Sequence, residues 1–165
     1  MSIEGALARA FGLKGSGHWQ GHANPWSVYT RMPILPLLSV AIWSRVWIGY
    51  WALVPIGLLL IWTIVNPRMF PAPKAFSSWA ARGVMGESYW AARKEVAVPP
   101  RHRRAPVLLT AVSALGFPFW VWGLISLDPW LTAFGLVIQM GAKLWFFDRM
   151  ALLYDDVTCS RQKAD

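Results

Sequence analysis

The chain has little acid and little charge. Of its 165 residues only eight are Asp or Glu, and charged residues total 15%, where a soluble domain carries about 25%. It holds one cysteine, Cys159, so no intramolecular disulfide can form and no cysteine-based metal centre can be assembled. It has no P-loop, serine-hydrolase elbow or His-Glu-x-x-His motif. With no catalytic constellation in sight, the balance is against an enzyme. The first apolar stretch has neither a basic start nor a small-residue cleavage site. The first membrane segment is therefore expected to act as its own targeting signal.

Apolar and aromatic residues fill the space. The chain is 56% hydrophobic and contains 12 Trp, a residue that gathers at membrane–water interfaces because its ring is amphipathic. The net charge is +8, and it is clustered. Half of the 16 lysines and arginines lie between residues 66 and 104: Arg68, Lys74, Arg82, Arg93, Lys94, Arg101, Arg103 and Arg104, opposed by Glu87 and Glu95 alone. A nucleic-acid binder is also basic, but it does not hide its cations between long apolar runs. Nucleic acid is set aside as a partner.

The pattern predicts an all-α polytopic membrane protein: four transmembrane helices arranged as two hairpins, with one interfacial amphipathic helix. A single membrane domain would divide into an N-terminal interfacial segment (1–24), a first helical hairpin (25–65), a basic cytoplasmic loop carrying the interfacial helix (66–104), a second hairpin (105–154) and a polar tail without periodicity (155–165). Asn24-Pro25 reads as a helix start, Asn capping and Pro at the first position. Pro33 and Pro36 should kink that helix. Only the 13 residues Met32 to Ser44 are uncharged, but with Val28 to Arg31 the segment reaches about 18 residues, or about 27 Å. Arg31 and Arg45 would then sit at the interfaces. A re-entrant reading of 28–45 is the alternative, and it leaves three spans.

Val46 to Val65 is 20 residues without a charge, and Gly49 is expected to help the turn before it. Asn66-Pro67 should end that helix. Ser77 or Ser78 can cap the next one, running to about Val96. There Trp79 and Trp90 share a face with Gly83 and Gly86, which fits Trp turned to the headgroups and Arg82 and Arg93 outward; the glycines would alternatively let another helix approach closely. Ala105 to Leu127 and Trp130 to about Phe147 form the last pair.

Basic residues concentrate in the N-terminal segment, central loop and tail, so both termini and the loop are assigned to the cytoplasm. The expected location is the cytoplasmic membrane.

The candidate sites are few. Arg31, Arg68 and Arg82 are placed to line an anion site for lipid phosphate or carboxylate, and Arg101, Arg103 and Arg104 form a juxtamembrane basic cluster suited to anionic lipid. Asn24, Ser27, Thr30 and Arg31 should meet Asn66 and Arg68 at one end of the first hairpin; His22, Asn24, Asn66 and Glu87 are the polar candidates there. His18 and His22, four apart, have the spacing of a helical ligand pair for zinc, or for the metal of a haem or chlorophyll; Gly17 and Gly21 argue against a helix, and interfacial hydrogen-bonded histidines are the plainer reading. Thr132, Gln139 and Lys143 form a stripe expected to face other helices. Asp148, Asp155 and Asp156 are read as solvated helix ends rather than a cation site.

The run His22-Ala23-Asn24-Pro25-Trp26-Ser27 with Thr30-Arg31, followed by Trp43-Ser44-Arg45, Asn66-Pro67-Arg68 and Trp79-Ala80-Ala81-Arg82-Gly83, resembles a family of small uncharacterised multi-pass membrane proteins of bacteria and archaea. The resemblance implies no reaction. Three functions stay open: a non-catalytic accessory protein that binds anionic lipid or other membrane proteins on the cytoplasmic side, a metal- or tetrapyrrole-binding subunit, and a lipid-modifying enzyme at the cytoplasmic interface around Asn24, Arg31, Arg68 and Glu87.

Overall fold

A computed structural model describes residues 19, 22–94 and 98–162. The expected N-terminal surface helix, His18 and Glu95 lie outside the described residues. Among the described residues the chain is helical, with no strand. Three stretches, Pro25–Met69, Pro100–Ser126 and Pro129–Ser160, are long and apolar enough to cross a membrane.

The first stretch is broken where its sequence demands. Helix α1 (Pro25–Arg31) starts on Asn24, whose side chain accepts from the Trp26 amide at 2.9 Å. It stops at Pro33, which precedes α2 (Ile34–Trp43). The turn that follows is wider than a tight loop: a single helical turn, α3 (Arg45–Ile48), and a 3-10 turn (Gly49–Ala52). Gly49 has φ +57° with nothing near a would-be Cβ, so its backbone conformation, not its space, calls for glycine. Helix α4 (Leu53–Met69) packs back against α2. It starts later than Val46 and runs through Pro67, which sits close enough to the helix end for the lost backbone bond to be tolerated.

Helix α5 (Trp79–Ala91) is capped by Ser78, which accepts from the Ala81 amide at 3.1 Å. After a 3-10 turn (Pro100–His102), α6 (Ala105–Ser126) has 22 residues, about 33 Å of rise. Leu127 closes it in the left-handed region (φ 56°), and the Asp128 carboxylate caps the last helix by accepting from the Trp130 and Leu131 amides. Helix α7 (Pro129–Gln162) then runs for 34 residues, about 51 Å. A hydrocarbon core is about 30 Å thick, so α7 is long enough to project well beyond one.

That projection corrects two expectations. Residues 155–162 are not an aperiodic tail but the last two turns of α7. Their order comes from tertiary pairing: Arg82 Nη1 meets Asp155 Oδ2 at 2.8 Å, His102 Nε2 meets Asp156 Oδ2 at 2.5 Å, and Arg101 pairs with Asp156 as well. These two carboxylates are therefore partnered by specific residues of the loop rather than solvated ends. The second correction concerns α5. Its Trp–Gly face is covered by α7, not turned to lipid: the Trp79 and Phe147 rings meet edge to face at 4.9 Å, and Trp90 packs on the cluster built from Met150, Leu153 and Val157.

The glycines set the close contacts. A Cβ on Gly83 would lie 2.3 Å from the Phe147 ring, and one on Gly86 1.7 Å from the Met150 carbonyl oxygen. Farther along α7, Gly123 lies against Thr132 and Gly135 against the Trp120 backbone in the same way. The buried core gathers at the α5 end of the molecule, in one cluster around Val28, Ala80, Val84 and Phe147 and another around Leu109, Phe146, Met150 and Leu153. Elsewhere large apolar side chains such as Leu58, Leu108, Leu115 and Val137 stand exposed, as on helices that meet lipid.

Candidate functional site

Asn66 is buried to 0% exposure near the end of α4. A buried amide needs partners for both its ends, and α1 supplies them. With its oxygen accepting from Thr30 Oγ1 (2.7 Å) and Trp62 Nε1 (3.2 Å), its nitrogen donates to Ser27 Oγ and to the Ser27 carbonyl (2.7 and 3.1 Å). Asn24 Nδ2 donates to the Pro71 carbonyl at 2.9 Å. So Asn24, Ser27, Thr30 and Asn66 meet at one end of the first helical stretch, where α1 is clamped to α4.

Beside the clamp lies a cavity of about 810 Å³, lined from the same two helices by Val28, Arg31, Pro67 and Arg68. His22, Arg31 and Leu35 contribute from the α1–α2 side, Thr63 and Arg68 from α4, Glu87 from α5, and Ser113, Gln139 and Lys143 from α6 and α7. The cavity thus lies between the first helical stretch and the α6–α7 pair, with α5 across one end. Its remaining walls are apolar, including Met32, Val84, Leu144 and Phe147.

The charged groups in it are held unequally. Arg31 Nε donates to the Ser27 carbonyl at 2.9 Å, its Nη2 to the His22 carbonyl at 3.3 Å, and its Nη1 lies 3.1 Å from His22 Nδ1. The donor is the guanidinium, so His22 Nδ1 carries the lone pair in this contact. Arg68 is exposed, and its Nη1 donates back to the Ile64 carbonyl at 3.1 Å. Lys143 Nζ stands 3.5 Å from Glu87 Oε1. Three cations therefore face one carboxylate, an excess of two positive charges with His22 neutral.

The structure divides the six candidate arginines. Arg31 and Arg68 share the cavity. Arg82 does not line it and is committed to Asp155. Arg101 is paired with Asp156, Arg103 Nε donates to the Val98 carbonyl, and Arg104 is exposed just before α6. Among the described residues no three His, Cys, Asp or Glu gather as a metal-ligand set. Of the Thr132, Gln139 and Lys143 stripe, Thr132 is buried against Gly123 while Gln139 and Lys143 line the cavity.

A family model matches residues 2–165, almost the whole chain. The chain belongs to DUF6653, a family of unknown function. No curated protein and no solved structure matches it. For this DUF6653 member the side chains must therefore carry the functional argument. Two contacts beyond the cavity were not legible in the sequence. Trp120 Nε1 donates to Ser39 Oγ at 2.8 Å, and Arg45 Nη2 donates to the Leu124 carbonyl. Each ties the first helical stretch to α6 across about 80 residues of sequence, a separation at which no local pattern signals a contact. His102 is likewise buried, with Nδ1 lacking a hydrogen-bond partner while Nε2 meets Asp156.

Proposed function

We propose that this protein is a four-span membrane protein of the cytoplasmic membrane, built as two helical hairpins with both termini and the α5 end inside, and that it binds an anionic amphiphile in the cavity between the hairpins. It acts as a non-catalytic accessory protein, recognising a membrane lipid through a phosphate or carboxylate head. The observation that carries this reading is the cavity itself, in which Arg31, Arg68 and Lys143 face Glu87 alone beside walls of apolar side chains. Guanidinium groups bind such anions through paired N–H donors, and an apolar wall suits the attached chain. The four-span arrangement is supported by α2 lying against α4 and α6 against α7. The orientation is supported by the arginines of residues 66–104 gathering at one end.

Purification in mild detergent followed by lipid analysis tests the binding. Acidic lipids should be enriched over the bulk membrane in the wild type and depleted in Arg68→Gln and in Arg31→Gln. Bulk composition in all three would contradict it. Topology reporters on the two termini should both report the cytoplasm, and opposite signals would contradict the four-span arrangement.

A further inference from the structure

The 810 Å³ cavity has a neighbour. A second cavity, of about 440 Å³, lies against the α6–α7 pair with apolar walls that include Leu109, Ala114, Phe117 and Phe146. The two cavities share three lining residues, Ser113, Gln139 and Lys143. The partition between them is made of side chains, and each is held at the long end of the hydrogen-bond range. Ser113 Oγ donates to the Gln139 carbonyl at 3.4 Å, Gln139 Nε2 to the Gly135 carbonyl at 3.3 Å, and Lys143 Nζ to Glu87 at 3.5 Å. Lys143 faces both sides: Glu87 lines the larger cavity, and the Phe146 ring, whose centroid is 4.7 Å from Nζ, lines the smaller.

We infer that the two cavities form a single site, with the head group of a phosphate-bearing amphiphile on Arg31 and Arg68 and its hydrocarbon chain passing Ser113 and Gln139 into the smaller cavity. The inference rests on the lipid-binding reading above and adds where the chain goes. Gln139 lies nine residues before Asp148 on α7, about 13 Å of helix. A chain that begins at the arginines and passes Gln139 therefore reaches the middle of a hydrocarbon core about 30 Å thick. The smaller cavity spans the same stretch of α7, Gln139 to Phe146, and on α6 extends past Ser113 to Phe117; Leu109, Ala114, Phe117 and Phe146 give a chain apolar contact there beside the polar Thr110, Ser113, Gln139 and Lys143. Ala114 and Phe117 are exposed on α6, so the chain has a lateral way in from the bilayer. The Lys143–Glu87 pair is the ionic part of this partition, and its side chains shift together with those of Ser113 and Gln139 to join the two spaces.

The test uses the whole protein in detergent with a phosphate-headed lipid that carries a diazirine at mid-chain. Labelling at Ala114 and Phe117 is expected in the wild type and should fall about tenfold in Arg68→Gln, the loss that about 1.4 kcal/mol of head-group binding produces. Labelling of Leu58, exposed on α4, should not change. Ala114→Trp, which fills the smaller cavity, should weaken binding of the long-chain lipid while leaving a short-chain phosphate amphiphile bound as in the wild type; that retained binding also shows the variant is folded. If the lipid binds and depends on Arg68, but labels Leu35 and Ile64 and is indifferent to Ala114→Trp, the single-site inference is overturned and the lipid reading stands. If no phosphate-headed lipid binds and Arg68→Gln changes nothing, the lipid reading fails and this inference fails with it.

Discussion

Gly86 of α5 lies against the backbone of Met150 on α7, so close that a Cβ would fall 1.7 Å from the Met150 carbonyl oxygen. The obstacle is backbone, so no rotamer change relieves it. Gly86→Ala should lower stability by about 3 kcal/mol, the upper end of what overpacking costs. Gly83→Ala meets the Phe147 ring instead, which can turn, and should cost about 1–2 kcal/mol. Thermal unfolding in detergent checks the order. Equal, small effects would mean that α5 does not pack on α7 as described.

Asn66 is the clamp between α1 and α4. Asn66→Ala removes partners from buried Ser27 and from Thr30 and should destabilise by about 1–3 kcal/mol. Asn66→Asp should be worse, because the donor is lost and a charge is buried. Both should also weaken lipid retention, since the clamp fixes α1 to α4, the helices that carry Arg31 and Arg68 of the cavity. Unfolding midpoints and bound-lipid content measured on the same samples check this.

How far the sequence reaches is clear from particular elements. The starts of α1, α5 and α7 were legible because Asn24, Ser78 and Asp128 each cap locally. The meeting of Ser27 and Thr30 with Asn66 was legible because consecutive apolar runs joined by a turn bring their far ends together. The last turns of α7 were not: Asp155, Asp156 and Arg161 hid the spacing of Met150, Leu153, Tyr154 and Val157, which is helical, and the partners that stabilise those turns lie 54 and 73 residues away. In the sequence the direction of the Trp79–Trp90 face stays open between headgroups and another helix for a related reason. A Trp face suits lipid and suits another helix equally, and only the glycines between favour the helix. The cavity draws its lining from six helices, α1, α2, α4, α5, α6 and α7, and no local pattern reports such a meeting.

Asp156 holds the end of α7 to the turn before α6. Asp156→Ala leaves buried His102 without its Nε2 partner, a loss of about 1–3 kcal/mol, and frees Arg101. Limited proteolysis should then cut the end of α7 faster than in the wild type. An unchanged cleavage rate would show that this pairing does not order the C-terminal turns.

The two helical pairs are joined inside the apolar region by Trp120 and Ser39. A double-mutant cycle with Trp120→Phe and Ser39→Ala should give a coupling of about 0.6 kcal/mol, with about 1.7 as the upper limit for hydrogen bonds between membrane helices. A coupling of zero would mean that the bond does not form in the membrane.

Native mass spectrometry of a lipid titration tests most directly whether the cavity binds an anionic amphiphile. A phosphate-headed lipid should bind with one copy per chain ahead of a neutral diacyl lipid, with affinity reduced about tenfold in Arg68→Gln, equivalent to about 1.4 kcal/mol, and reduced further when Arg31→Gln is added. Equal binding of charged and neutral lipids, unaffected by either substitution, would contradict it.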